Sequence, residues 1–201
     1  MMNVGLAISL AAVSAGVAVF GEEQVIYRRE VAAGHSHLAY YIGVNLAQCP
    51  RLFVDGLHFA FIFHLLNQPL TSFGQFLGIA TLLYSAIYGL AFIVSMLVAR
   101  KNAPLLGVVL SLMFASMTAK GGQPEAIQFL SASRWAAEAL FGVESAPFTH
   151  VMTVERTATD LGYVVGRFGT DMAIMFTISI FYRVVAYAFM RCADRKLLRK
   201  K

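Results

Sequence analysis

The sequence predicts an all-α fold: a polytopic membrane helix bundle with five transmembrane helices, an amphipathic helix at the cytoplasmic interface and a re-entrant helix on the outer side. Two observations support this. Apolar residues make up 58% of the 201 residues and charged residues only 13%, whereas soluble domains have about 45–50% and about 25%. Mostly apolar stretches close to the roughly 20 residues that cross a bilayer also recur along the chain.

These stretches predict five spans within a single domain that covers residues 1–201: about 4–20, 52–68, 73–98, 104–118 and 170–190. The third is the longest and has no charge, whereas the second and fourth are short. The first stretch resembles a cleaved signal peptide in length. It lacks a basic leading region, however, and Phe20 stands where a small residue should precede the cleavage site. We therefore interpret it as a span.

The basic residues between the spans predict the orientation. Segments 21–51 and 99–103 together with the C-terminus hold eleven of them, whereas the N-terminus, 67–72 and 118–171 hold four. Because cytoplasmic segments are enriched in Lys and Arg, a cytoplasmic C-terminus in a multi-pass membrane protein is expected. The basic tail also suits contact with anionic lipid headgroups. It carries no aromatic interleaving, so nucleic-acid binding is not predicted.

Two segments between the spans are expected to be structured. Residues 21–50 start with a charged run and become amphipathic, which indicates an interfacial helix broken near Gly34. Residues 119–168 form an outer loop, in which 124–141 has helical periodicity after Pro124. We expect that helix to dip into the outer leaflet, with Trp135 at the headgroup level and its N–H in water.

No catalytic or cofactor motif is found in the sequence. Gly121-Gly122-Gln123 matches part of an ATPase signature, but no G-x-x-x-x-G-K-[ST] loop accompanies it. The histidine pairs at 35/37 and at 58/64 are spaced so that they point to different helix faces and cannot share a metal ion. No G-x-S-x-G elbow is present. We therefore predict no enzyme, no metal and no cofactor in this chain.

Two charges lie within predicted spans, where they are costly and usually paired or functional. Asp55 follows Arg51 by four residues, so both can share one helix face. Arg183 lies seven residues before Met190, within reach of the helix end for a snorkelling side chain. Our hypothesis is that Asp55 and Arg183 pair between helices, and the alternative is that Arg183 only snorkels.

Three sequence blocks resemble a known family. After the first span come Tyr27-Arg28-Arg29-Glu30, Gly34-x-Ser36-x-x-Ala39-Tyr40-Tyr41-Ile42-Gly43 and then Pro50. Before the last span comes Ser131-x-Ser133-Arg134-Trp135-Ala136-x-Glu138-Ala139-Leu140, with Glu144. Within the last span comes Arg183-Val184-Val185-Ala186-Tyr187. In order and spacing these blocks resemble the ABC-2 type membrane domain of G-subfamily (White-type) ABC transporters. The resemblance covers nearly the whole chain from about Val4.

The resemblance implies that the five spans correspond to helices two to six of a six-helix domain. It also implies that the coupling region 21–50 contacts an ATPase domain through Glu23, Arg28, Arg29 and Glu30. The central path would be lined by Val4–Phe20 and Leu105–Met117, with these path residues: Val109, Leu110, Leu112, Met113, Phe114 and Met117.

By the same resemblance, the function is the membrane-spanning part of a transporter that moves lipids or other amphipathic molecules. ATP and Mg would bind a separate or missing ATPase domain, and two membrane domains would form a homo- or heterodimer. The chain departs from the family pattern, because these residues hold no nucleotide-binding domain and no first transmembrane helix. Two alternatives stay open: a fragment with no transport activity or with a regulatory role in assembly, and an intramembrane enzyme.

Overall fold

The computed structural model describes residues 2–98, 102–118, 124–148 and 153–198. Within these ranges the chain is helical, with no strand, which confirms the all-α prediction. The helices are α1 (Met2–Ala32), α2 (His37–Asn67), α3 (Phe73–Leu97), α4 (Ala103–Ser116), α5 (Glu125–Leu130), α6 (Ala132–Ser145), α7 (Val154–Leu161) and α8 (Phe168–Leu198). A 3₁₀ turn at Ala146–Phe148 follows α6.

Three helices are long and apolar enough to cross a membrane: His37–Asn67, Phe73–Leu97 and Phe168–Cys192. They correspond to the second, third and fifth predicted spans. Asn3–Val19 and Ala103–Ser116 are apolar but shorter. At 1.5 Å per residue, the fourteen residues of α4 rise about 21 Å, less than the thickness of about 30 Å of a hydrocarbon core. The count of five spans therefore stays a prediction.

Helix α3 lies at the centre of the bundle. It carries no charged residue, and fourteen of its residues are buried. Helices α1, α2, α6 and α8 pack around it, α4 lies against α1, and α6 lies against α8. The side chain of Ser72 caps the start of α3 by accepting a hydrogen bond from the Gln75 N–H. The cleanest apolar stretch of the sequence thus becomes the helix on which the others pack.

Glycines lie where the helices cross most closely. A Cβ added to Gly16 of α1 would lie 2.7 Å from the Ala91 Cβ of α3, and one added to Gly89 of α3 would lie 2.9 Å from the Tyr182 Cβ of α8. Gly107 makes a similar approach between α4 and α1. Small residues at such crossings let helix backbones come together, which is a main source of packing energy in membrane proteins.

The two long helices at the start of the chain differ from the prediction. Helix α1 continues from its apolar part through the charged run, and α2 contains both the amphipathic stretch and the second predicted span, with Pro50 inside it. Residues 21–50 therefore contain no separate interfacial helix. The physical reason is that a change from apolar to charged residues marks a change of surroundings and does not interrupt backbone hydrogen bonding.

The segment 124–141, predicted as one helix, is divided at Ser131 into α5 and α6. The Ser131 hydroxyl accepts a hydrogen bond from the Arg134 N–H and donates one to the Phe114 carbonyl at 2.8 Å. Trp135 is only 8% exposed, and its N–H donates to the Phe129 carbonyl at 2.8 Å. The prediction that this N–H meets water is therefore wrong, because the α5–α6 turn supplies the acceptor.

Candidate functional site

The first candidate site is the elbow between α1 and α2, which comprises residues 26–40. Gly34 has a φ of +93°, a left-handed conformation that glycine adopts without cost. The His35 N–H donates to the Glu30 carbonyl at 3.1 Å and the Gly34 N–H to the Val31 carbonyl at 3.0 Å. This pair of bonds is the Schellman motif that ends helices. The break predicted near Gly34 is confirmed.

Aromatic side chains hold the two arms of the elbow together. The Tyr27 hydroxyl and the His37 Nδ1 are hydrogen bonded at 2.7 Å. The Tyr27 ring is buried and lies with its centroid 5.0 Å from that of Tyr40. Because Tyr27 belongs to α1 and the other two belong to α2, these contacts fix the angle between the helices. In the sequence alone, Tyr27 and Tyr40 stand out only as part of the first block.

An open hollow of about 380 Å³ lies on the elbow and is lined by Ile26, Arg29, Glu30, Ala33 and His35. Arg29 and His35 are exposed, and Glu30 is half-buried. The structure therefore places two of the four predicted coupling residues on one surface. The side chains of the other two, Glu23 and Arg28, lie outside the described part. A surface that offers a cation and a carboxylate side by side can bind a partner of mixed charge.

The second candidate site is the apolar face of α4. Val109 is 51% exposed, and Leu112 and Met113 are exposed beside it. Leu110 and Phe114 are half-buried and pack against the core. Met117 is only 4% exposed. It follows the last residue of α4, where the chain turns, so its side chain lies in the interior and not with the exposed face.

Helix α1 packs against the buried face of α4, where Gly107 faces Val13 of α1. Between Asn3 and Val19 the exposed residues of α1 are all small and recur at helical spacing: Asn3, Ala7, Ala11, Ser14 and Ala18. Both helices thus expose uncharged side chains in these ranges, small ones on α1 and bulky apolar ones on α4. The structure brings together the two helices that the resemblance assigns to the central path.

The third candidate site surrounds Arg183 of α8. Its guanidinium donates from Nε to the Asn45 Oδ1 at 3.0 Å, from Nη2 to the Ser85 Oγ at 3.0 Å, and from Nη1 to both the carbonyl and the hydroxyl of Ser179. The Tyr41 hydroxyl donates to the Arg183 carbonyl at 2.7 Å. These bonds join α8 to α2 and α3 through neutral oxygens.

The hypothesis that Asp55 pairs with Arg183 is therefore wrong. Asp55 lies 3.9 Å from the Arg51 Nε and accepts a 3.3 Å hydrogen bond from the Tyr88 hydroxyl. Asp55 comes ten residues after Asn45 on α2, which at 1.5 Å per residue places it about 15 Å further along the helix. The two charges thus occupy different depths. Asn45 and Ser85 were not predicted as partners, because neutral residues carry no charge signal in the sequence.

Polar contacts also fix the opposite end of the bundle. Glu144, at the end of α6, accepts hydrogen bonds from the Thr71 N–H at 3.0 Å, from the Thr71 hydroxyl and from the Leu70 N–H. Arg134 donates to the Gln128 side chain and to the Gly162 carbonyl, both at 3.0 Å. These bonds attach α6 to the turn between α2 and α3 and to the end of α7.

The phenol of Tyr163 lies in the same region. Its hydroxyl donates to the Thr118 carbonyl. Burial raises the pKa of Tyr163 to about 12, with a further contribution from the nearby Glu138 carboxylate. The phenol therefore stays protonated at physiological pH and keeps its donor. Glu144, Arg134 and Glu138 all belong to the second sequence block, whose residues thus act in holding this end together.

The sequence of the chain is similar to those of known transporters. A family model described as ABC-2 type transporter matches residues 2–196. The chain belongs to this family. It is 30% identical over 163 residues to the ABC-type transporter claG of Penicillium crustosum, and 21% identical over 196 residues to white-brown complex homolog protein 30 of Arabidopsis thaliana. These alignments cover 77% and 95% of the chain but only 22% and 18% of the relatives.

The match confirms the resemblance to White-type transporters that the three sequence blocks indicated. The chain is an ABC-2 type membrane domain, and its apolar helices agree with a location in a membrane. The chain spans about a fifth of the length of these relatives. Membership in the family implies pairing with an ATPase domain or subunit.

Proposed function

We propose that this chain is the membrane-spanning part of an ABC-type transporter that moves lipids or other hydrophobic or amphipathic molecules. The five helices α1, α2, α3, α4 and α8 cross the bilayer, with the elbow and the C-terminus on the cytoplasmic side. The chain is not an enzyme by itself. A separate ATPase domain binds ATP and Mg and supplies the energy.

The observation that carries this proposal is the construction of the elbow. Helix α1 is continuous from its apolar part to the elbow, so a force applied at Arg29 or Glu30 can move the apolar part of α1 without a hinge. The Schellman motif and the contact between Tyr27 and His37 keep both arms together. The hollow beside them offers charged groups for docking. An ATPase domain that closes against the elbow would therefore act directly on the bundle.

The surface of α1 and α4 supports the second part of the proposal, which is the path. The surface has no charged side chain from Asn3 to Val19 or from Ala103 to Ser116. The large exposed apolar residues of α4 and the small exposed residues of α1 suit contact with an apolar or flat amphipathic molecule, or with the same helices of a second membrane domain. In a homo- or heterodimer, two such surfaces would enclose a central path.

The experiment isolates the tagged protein from its own membranes and measures vanadate-sensitive ATP hydrolysis in the eluate. We expect an ATPase subunit to co-elute with the wild-type chain. Glu30→Lys reverses a charge in the hollow and should remove most of the bound ATPase. The matched control is Glu155→Lys, which makes the same change at an exposed position on α7 and should leave the bound ATPase unchanged. Absence of ATPase from the wild-type eluate would leave the transporter without an energy source.

The alternative is a fragment with no transport activity, or with a regulatory role through assembly with full-length subunits. The same surface of α1 and α4 favours this alternative as well, since it could associate with a complete membrane domain. The genomic sequence upstream of Met1 separates the two. An ATP-binding domain encoded in frame would favour a fragment, whereas a stop codon would favour a solitary membrane subunit.

A further inference from the structure

The guanidinium of Arg183 carries a positive charge without a counter-ion. Its hydrogen bonds end on neutral oxygens, those of Asn45, Ser85 and Ser179. Among the described residues no carboxylate forms an ion pair with it. Neutral partners satisfy N–H groups but leave the charge itself uncompensated, and an unpaired charge within apolar surroundings is costly. The site therefore lacks an anion.

One donor of the same group is also unused. A guanidinium has five N–H donors, and Arg183 makes four hydrogen bonds, one from Nε, two from Nη1 and one from Nη2. The second N–H of Nη2 therefore has no acceptor in the part of the chain that the structure describes. An oxygen of a phosphate would supply both the missing charge and the missing acceptor, and hydrogen bonds between arginine and phosphate are among the stronger ones in proteins.

Arg183 is half-buried and lies between two helices that make little contact with each other. Helices α2 and α8 both pack on α3. Side chains bridge them, because Arg183 donates to Asn45 and the Tyr41 hydroxyl donates to the Arg183 carbonyl at 2.7 Å. The residues next to these partners, Leu46 and Val184, are 64% and 60% exposed. The site thus lies beside an apolar outer surface, which would meet acyl chains in a bilayer.

The depth of Arg183 follows from its contact with α3. A Cβ added to Gly89 would lie 3.6 Å from the Arg183 backbone nitrogen, so the two residues share a level. Gly89 lies eight residues before Leu97, the last residue of α3, which is about 12 Å at 1.5 Å per residue. The proposed topology places this end of α3 at the inner leaflet. Bilayers thin locally and admit water around an arginine at such a depth, so a headgroup can approach it.

A second polar group on α2 indicates what else the headgroup carries. Gln48 follows Asn45 by three residues, so both lie on one side of the helix. The Oε1 atom of Gln48 is buried and has no hydrogen-bond partner. Buried polar atoms are rarely left in that state. A headgroup with a hydroxyl beside its phosphate, such as glycerol, has the donor that this acceptor lacks.

We propose that Arg183 binds the phosphate of an anionic phospholipid, which enters sideways between α2 and α8. Basic pockets between transmembrane helices bind such headgroups in other membrane proteins. The site belongs to α2 and α8 and not to the exposed residues of α1 and α4, so the inference concerns a resident lipid and not the transported molecule. It rests on the proposed location in a bilayer but not on ATP-driven transport, so each proposal can fail while the other holds.

The test is native mass spectrometry of the purified full chain in a neutral detergent, which measures the ratio of lipid-bound to lipid-free protein. The probes are dioleoyl phosphatidylglycerol, dioleoyl phosphatidylcholine and dioleoylglycerol, which share their acyl chains and differ in charge and phosphate. The wild-type protein should bind phosphatidylglycerol best and dioleoylglycerol least. Arg183→Gln should lower the ratio for phosphatidylglycerol about tenfold, the factor that one hydrogen bond to a charged group supplies. The control Arg191→Gln removes an exposed cation from the same helix and should change the ratio little.

A second variant keeps the proposal testable if Arg183→Gln does not fold. Asn45→Asp has nearly the same shape as the wild-type residue and would place a carboxylate oxygen where the Asn45 Oδ1 now lies, 3.0 Å from the Arg183 Nε. This internal counter-ion should lower the ratio for phosphatidylglycerol to that for phosphatidylcholine. The control Asn67→Asp makes the same change of charge at an exposed position of the same helix and should bind phosphatidylglycerol as the wild-type protein does.

Three results would overturn the proposal. One is a wild-type protein that shows no preference for phosphatidylglycerol. Another is a folded Arg183→Gln or Asn45→Asp variant that keeps the wild-type ratio. The third is loss of bound phosphatidylglycerol from the wild-type protein in millimolar inorganic phosphate, because the site would then take a free anion and not a lipid headgroup.

Discussion

Replacement of Gly89 by alanine tests the packing of the bundle at its tightest contact between α3 and α8. The added Cβ would lie 2.9 Å from the Tyr182 Cβ and 3.3 Å from the Ser179 carbonyl oxygen. Carbon atoms pack best at about 3.5–4.0 Å, so α8 would have to move by roughly 1 Å. Both contacts are to the backbone or to the first side-chain atom, which means that no rotamer change relieves them.

The cost of such overpacking is about 1–3 kcal/mol. Alanine also favours a helix interior over glycine by about 0.8–1.0 kcal/mol, which offsets part of that cost. Gly43→Ala measures the gain in helix propensity alone, because Gly43 lies inside α2 and no atom lies within 4 Å of an added Cβ. The difference between the two variants should therefore be about 1–3 kcal/mol, with Gly89→Ala the less stable.

The assay is unfolding in mixed micelles with increasing dodecyl sulfate, followed by the fluorescence of Trp135, which lies on the helix that packs against α8. The free energy of unfolding is compared for the wild-type protein and the two variants. If Gly89→Ala and Gly43→Ala changed stability equally, α3 and α8 would not approach as closely as the structure has them, and the packing argument would be refuted.

Three further predictions concern the candidate sites. Gly34→Ala should destabilise the protein by about 1–2 kcal/mol, because the left-handed conformation that ends α1 is unfavourable for alanine. The measurement compares the thermal unfolding of this variant with that of Gly43→Ala. Asn45→Leu removes an acceptor from the Arg183 guanidinium and should lower the free energy of unfolding by about 1.5–3 kcal/mol. The control Asn67→Leu removes an exposed amide at the end of the same helix and should lower it by less than half of that. A double-mutant cycle of Asp55→Asn and Arg183→Gln should give a coupling energy below about 0.5 kcal/mol, because the two side chains have separate partners. A coupling energy well above this value would support the ion pair that the structure contradicts.

The helices themselves were largely predictable from the sequence. The helix expected at 73–98 is observed as Phe73–Leu97, because an uninterrupted apolar stretch after a capping serine favours a single long helix. The break at Gly34 could also be predicted, since glycine is the usual residue where a helix ends in a left-handed turn. Both signals are local, so one sequence is enough to detect them.

The extent of the helices on either side of Gly34 was not predictable in the same way. The sequence indicated a separate interfacial helix, whereas α1 and α2 each join an apolar and a polar part. Hydropathy reports the surroundings of each residue. The course of the backbone depends on hydrogen bonds that charged and apolar residues support equally well.

The partners of Arg183 show a different limit. A charge within a span indicates that partners exist, and the sequence suggested the carboxylate of Asp55. The observed partners are Asn45, Ser85 and Ser179, three neutral residues on three helices. Their proximity depends on the depth at which the helices pack, which no local pattern records. Met117 illustrates the same point, because the turn that follows α4 moves its side chain from the exposed face to the interior.

The central claim is that the elbow faces the inner compartment while the helix α7 faces the outer one. Single cysteines at Arg29 and at Asp160, both exposed positions, test it in a variant whose Cys49 and Cys192 are replaced by serine. Intact cells are treated with a membrane-impermeant thiol reagent, before and after permeabilisation. The account predicts that position 160 reacts at once and that position 29 reacts only after permeabilisation. Labelling of position 29 in intact cells would contradict it.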